Sequence, residues 1–146
     1  MHKVFALVAI LILAGCAAQP GPVIPPATSL QPQAVDWSAA QSVEVDLEEF
    51  NFGPDSLVFE AKRPYRITFS NAGNFAHNFT AAEFFSAVLL RPDGAGSAAA
   101  AAGQIELAPG SSTVVELVPI TPGSYSFACT HGLHKAFGMS GEAVIR

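Results

Sequence analysis

A chain of 146 residues and 15.2 kDa, half apolar and only 13% charged, has room for one domain and too little charge for intrinsic disorder. Its 12 glycines and 11 prolines fit a turn-rich β protein. Seven basic residues against 12 acidic ones, a net charge of −5 and no basic run exclude a nucleic-acid partner.

The chain opens MHKVFALVAILILAGC. Lys3 is followed by an apolar run from Val4 to Ala14, too short for a bilayer-spanning helix of roughly 20 residues. Its shape is that of a secretory signal. The run ends in Leu13-Ala14-Gly15-Cys16, which resembles the lipobox of bacterial lipoproteins. That resemblance implies a signal peptide over residues 1–15 and a diacylglycerol on the Cys16 sulfur. An ordinary signal cleaved a few residues later is the alternative. Either way the chain is expected to be exported to a bacterial cell envelope, facing the periplasm or lying at the cell surface. With Cys16 acylated, Cys129 is left as a lone thiol in an oxidising compartment, which requires an explanation.

Residues 16–41 are rich in Pro, Ala, Gln and Ser, with five prolines from Pro20 to Pro32. They predict an extended tether between a membrane and a domain. Trp37, near its end, is expected to pack on the domain edge.

The domain is expected over residues 42–146. Val43, Val45 and Leu47 alternate with Glu44, Asp46 and Glu48, which predicts a half-buried strand. Gly53-Pro54-Asp55 turns into a strand over 57–61, and Pro64 opens the next, with Ile67 and Phe69 on one face. Asn71-Ala72-Gly73-Asn74 turns into a strand over 77–81. Residues 82–103, with a compact apolar stretch and an alanine run, predict a partly helical insertion. Further strands are expected at 104–107, 113–118, 124–129 and 142–146. Short strands with regular turns predict an all-β fold, an antiparallel β-sandwich.

Alternation in Tyr125-Ser126-Phe127-Ala128-Cys129 puts Cys129 on the core face with the two aromatic rings. His131, His134 and Met139 follow it closely. Four residues separate Cys129 from His134, and four more separate His134 from Met139. His77 begins a separate strand after a turn. Thiolate, imidazole and thioether form a soft donor set that selects copper. A trigonal His₂Cys site with a long axial Met is the geometry of blue-copper electron transfer.

The sequence resembles the cupredoxin family, which includes plastocyanin and azurin. The resemblance spans Val43 to Arg146. It is carried by Phe50-Asn51-Phe52-Gly53-Pro54, by Pro64 to Phe69 with Asn71-Ala72-Gly73, by His77-Asn78-Phe79 and by Cys129-x₄-His134-x₄-Met139-x-Gly141. It implies a Greek-key sandwich binding one copper ion. His77 and His134 would be the imidazole ligands, Cys129 the thiolate and Met139 the weak axial ligand. Asn78 would orient the thiolate. Two features depart from the family's usual loop: Gly132-Leu133 stands where Pro-Gly is common, and His131 is additional. Two readings of His131 stay open. It is a ligand, which would make the centre tetragonal, a Cu(I) carrier or a Cys-His₃ zinc site, or it is a surface group beside the metal.

A membrane-tethered, monomeric electron carrier cycling Cu(II)/Cu(I) is the function expected, without enzymatic activity. Its partner would be a redox or copper-exchange protein. A copper storage or delivery protein and a metal-free sandwich module are the alternatives. A Cys129–His thiol catalyst is disfavoured, because no Asn or Asp follows to orient the base. No phosphate loop, zinc ribbon or serine-hydrolase elbow is present.

Overall fold

The computed structural model describes residues 31–146; the signal segment, Cys16 and most of the tether lie outside them. Among the described residues, ten strands form two five-stranded sheets. Strand β1 (Gln41–Glu48) carries the alternation expected of it, with Val45 and Leu47 buried and Glu44 and Asp46 exposed. It is followed by β2 (Asn51–Gly53), β3 (Ser56–Phe59), β4 (Tyr65–Asn71) and β5 (His77–Thr80). Helix α1 (Ala82–Ser86), β6 (Val88–Leu90) and α2 (Ser97–Ala101) make up the insertion. The chain closes with β7 (Gln104–Leu107), β8 (Ser112–Pro119), β9 (Gly123–Ala128) and β10 (Ser140–Ile145).

The first sheet has the order β2-β1-β4-β8-β6 and the second β3-β10-β9-β5-β7. The sheets are mixed, not wholly antiparallel. Strands β1 and β4 run parallel, from Gln41 opposite Tyr65 to Leu47 opposite Asn71, and β3 runs parallel to β10. Each parallel pair joins strands that are not consecutive in the chain, where no tight hairpin dictates direction.

The sandwich fills with Val45, Leu47, Ile67, Phe69, Val115 and Leu117 from one sheet and Phe59, Phe79, Ile105, Phe127, Ala143 and Ile145 from the other. Phe79 lies at the middle. Its ring meets Phe52, Phe69, Phe85 and Phe127 at centroid distances of 4.5–5.9 Å. Each such side chain contributes about 1.5–3 kcal/mol by burial.

Two strands have no counterpart in the expected set. Strand β2 is three residues paired antiparallel with the end of β1. Strand β6 lies in the stretch expected to be helical, and its three residues are all half-buried, without alternation. It forms because β8 would otherwise leave an unpaired edge: Val88, Leu89 and Leu90 pair with Pro119, Val118 and Leu117. The two short helices meet the expectation of partial helix. Phe84 and Phe85 of α1 enter the core, and Ala100 of α2 is fully buried. Gly103, with φ +86°, closes α2, and a Cβ there would stand 2.9 Å from that of Ala82. Only glycine fits so close a return.

The last part of the predicted tether is ordered against the domain. Trp37 lies in a single 3₁₀ turn (Trp37–Ala39), its indole N–H donates to the Pro32 carbonyl at 3.2 Å, and the Arg91 guanidinium stands 5.8 Å from the ring centroid.

Arg91 also helps clamp a buried carboxylate. Glu116 on β8 receives Arg66 Nε and Nη2 on Oε1, at 3.0 and 2.7 Å, and Arg91 Nη1 on Oε2 at 2.6 Å. Burial alone would raise the carboxyl pKa. The bonds and charges of the two arginines outweigh it and hold the group below its ordinary 4.5. Glu116→Gln is expected to lower stability at pH 7 by about 1–2 kcal/mol, since both guanidinium groups still reach water. The depressed pKa means the stabilisation is complete above pH 4.5 and disappears as pH falls through the folded-state value. Urea denaturation at a series of pH values should show variant and wild type converging in acid.

Candidate metal centre

Three ligand-bearing residues converge at one end of the sandwich. His77 opens β5, where His77 and Phe79 share one face and Asn78 lies on the other, itself buried. Cys129 follows the last residue of β9 and is completely buried, as alternation predicts. His134 lies on the loop that leads to β10 and is partly exposed.

That loop is held by its own main chain. His134 N–H donates to His131 O, Met139 N–H to His134 O, and Cys129 N–H to Met139 O, at 2.9, 3.1 and 3.0 Å. A short 3₁₀ turn (Lys135–Phe137) ends at Gly138, whose φ of +106° reverses the chain toward Met139. Met139 is buried in the core cluster, and its main chain bonds the segments of both Cys129 and His134. Spacing along the chain thus becomes proximity, because the loop folds back onto the strand end.

The donor atoms form a small triangle. His77 Nδ1 and His134 Nδ1 are 3.1 Å apart. Cys129 Sγ is 3.4 Å from His134 Nδ1 and 3.9 Å from His77 Nδ1. Triangles of this order are spanned by metal–nitrogen bonds of about 2.0–2.1 Å and metal–sulfur bonds of about 2.3 Å. Two imidazoles and one thiol, with His77 and Cys129 fully buried, suit a soft late transition metal, copper above all. Among the described residues this is the group of His, Cys, Asp and Glu side chains placed to share an ion. The fold brings His77, Cys129 and His134 together, which spacing along the chain could not supply.

Burial and the neighbouring His134 push His77 below the ordinary imidazole value of 6.5, so the ring is neutral at pH 7 and keeps a lone pair. Its Nε2 is buried without a hydrogen-bond partner. Glu49, half-buried after β1, stands 4.0 Å from that nitrogen. The main-chain N–H groups of Asn74 and Phe75 donate to Glu49 Oε1, and they hold the carboxyl below its ordinary value.

Asn78, expected to act beside the first histidine, bonds the residue after the thiol. Its Oδ1 accepts from Thr130 N–H at 2.8 Å, and its Nδ2 donates to Thr130 Oγ1 at 2.9 Å. A 2% exposed side chain thereby fixes the exit of β9. His131 is outside the triangle. Its Nε2 pairs with Glu106 Oε1 at 2.5 Å, and its ring centroid is 6.1 Å from that of His134.

Phe50 was not expected as a wall of the site. It follows β1 with φ +66° and packs edge-on against His134, centroids 5.2 Å apart, and against Phe137 at 5.1 Å. Phe50, Leu133 and Phe137 are all exposed. A large apolar residue exposed immediately after a strand, at Phe50, was the available signal.

Two sheets in a β-sandwich, with a buried thiol, an imidazole and a methionine gathered by one connecting loop and a second imidazole supplied by β5, define a cupredoxin-type protein. The profile of the cupredoxin-like domain matches residues 3–145, and the chain belongs to that family. Solved structures agree in fold. Reduced auracyanin from the photosynthetic bacterium Roseiflexus castenholzii is 20% identical, with a TM-score of 0.53, over 74% of this chain and 98% of that one. Auracyanin B is 22% identical, with a TM-score of 0.55, over 77% and 93%. Auracyanin A, a blue copper protein from the green thermophilic photosynthetic bacterium Chloroflexus aurantiacus, is 22% identical, with a TM-score of 0.50, over 72% and 98%. No curated protein matches the chain significantly.

Proposed function

We propose that this chain is a copper-binding electron carrier, tethered through Cys16 to an envelope membrane, that exchanges electrons with a redox protein. The donor triangle of His77, Cys129 and His134 carries the proposal. Copper, when bound, supplies a one-electron Cu(II)/Cu(I) couple. Cys129 as thiolate, the Nδ1 atoms of His77 and His134, and Met139 as a weaker donor would hold it. Phe79 and the core beneath exclude water, so the ligands need little rearrangement between redox states. His134 is the exit. Its ring is partly exposed and rimmed by Phe50, Leu133 and Phe137, an apolar surface suited to brief docking over a small interface. Under this reading the chain turns over no substrate and acts as a monomer.

Copper storage or delivery uses the same donors. Partly exposed His131, its ring 6.1 Å from that of His134, is the feature that favours it. Transfer of Cu(I) to an acceptor apoprotein would identify delivery, whereas a carrier retains its ion through repeated oxidation and reduction.

The test is an absorption and electron paramagnetic resonance spectrum of the copper-loaded chain, with His134→Ala beside His131→Ala. Wild type and His131→Ala are expected to show the same intense thiolate-to-copper band, and His134→Ala to lose it. Loss in His131→Ala with retention in His134→Ala would overturn the ligand assignment. No band in the wild type would leave a metal-free sandwich.

A further inference from the structure

Among the described residues, Nε2 of His77 is the buried polar atom that the metal centre leaves unexplained. Both Nδ1 atoms face the sulfur and each other, so His77 can serve a metal only if Nδ1 is unprotonated. A neutral imidazole carries one N–H, which must then sit on Nε2. A buried N–H without an acceptor is costly. Glu49 Oε1 faces this atom, 4.0 Å away.

The carboxylate is not there by accident of a floppy side chain. Asn74 and Phe75 N–H both donate to the oxygen that faces His77. The turn supplying them is braced by Asn71, which accepts from Gly73 N–H at 2.9 Å and donates to the carbonyls of Phe75 and Leu107 at 2.8 and 2.9 Å. Gly73 leaves the space the carboxylate fills: a Cβ there would stand 2.8 and 2.9 Å from its two oxygens. Glu49 thus ties the end of β1 to the turn entering β5, with its charge aimed at the back of a ligand ring.

We infer that Glu49 is a positioning residue of the metal centre: it holds His77 in the Nε2–H tautomer, frees Nδ1 for the metal, and favours the more highly charged Cu(II) state. The inference rests on the copper reading above. Carboxylate–histidine–metal relays of this form raise ligand basicity, and their loss costs metal affinity about 10–100-fold. At 4.0 Å the pair is beyond hydrogen-bond distance, so the relay closes by a small shift of either side chain or through one water.

Glu49→Gln keeps an oxygen for Asn74 and Phe75 while removing the charge; Glu49→Ala removes both. Two readouts test the role. The first is the tautomer of His77 in the metal-free chain, from long-range ¹H–¹⁵N spectra. Wild type is expected to carry the proton on Nε2, and Glu49→Ala to shift population toward Nδ1–H. The second is the Cu(II)/Cu(I) potential of the loaded chain. Glu49→Gln is expected to reduce the preference for Cu(II) about tenfold, which for one electron is a rise of about 59 mV. An unchanged thermal transition in Glu49→Gln confirms that the turn survives. A potential shifted by less than a factor of two in that ratio, or an unaltered tautomer in Glu49→Ala, overturns the inference while the copper reading stands. A wild-type chain with no thiolate-to-copper band removes both.

Discussion

Cys129→Ser is expected to abolish the intense visible band of the copper-loaded chain and to weaken copper binding by more than the 10–100-fold typical of losing an outer partner. The reason is the donor's chemistry. A thiolate is soft, strongly donating and the source of the charge-transfer absorption; a hydroxyl at the same position is hard and protonated at neutral pH. The fold has no such dependence on sulfur. Cys129 Sγ lies 3.4 Å from His134 Nδ1, so a hydroxyl there keeps a hydrogen-bonding neighbour. The metal-free variant is expected to lose no more than about 1–2 kcal/mol. Titration with Cu(II), followed by absorption, and urea denaturation of the apo form check the two halves separately. A persistent blue band in Cys129→Ser would mean that the sulfur is not the donor.

Phe79→Ala has the largest expected effect on stability. Four aromatic rings surround Phe79, and no solvent reaches it. Truncation removes the ring's transfer energy and leaves a cavity that Phe52, Phe69 and Phe127 cannot close together. The expected cost is about 3–5 kcal/mol, a fall in Tm of roughly 10–20 °C for a domain of this size. Val58→Ala, on the outer face of β3 and half exposed, should stay within about 0.5 kcal/mol of wild type. Phe79 is two residues from His77 on the same face of β5, so the cavity also opens beneath a ligand ring. The surviving folded fraction of Phe79→Ala is expected to bind copper more weakly than wild type. Calorimetry of apo and copper-loaded forms measures both effects. Equal Tm values for Phe79→Ala and Val58→Ala would contradict the packing argument.

Much of this molecule is legible from local pattern. The alternation from Val43 to Glu48 marks a half-buried strand because successive side chains point to opposite faces. The structure buries Val45 and Leu47 and exposes their neighbours. The same parity places Cys129 inward. Strands β2 and β6 were not legible. Each is three residues long, too short to express a period, and each exists because a neighbouring strand offers an open edge. The parallel direction of β1 against β4 was hidden for a related reason, since no turn of fixed length links the two.

The candidate site divides the same way. Donor types and the loop spacing from Cys129 to Met139 stand in the sequence, as does the histidine after the Asn71–Asn74 turn. They were enough to favour copper, because softness belongs to the side chain and not to the fold. Distances are another matter. His77 is 52 residues from Cys129, and their proximity depends on both sheets closing over Phe79 and Phe127. Glu49 at the back of His77, Phe50 against His134 and Glu106 on His131 are long-range contacts with no local periodicity to announce them. Covalent spacing controls which groups share a loop or a strand face; only burial of the common core decides which distant groups meet and which way each ring nitrogen points.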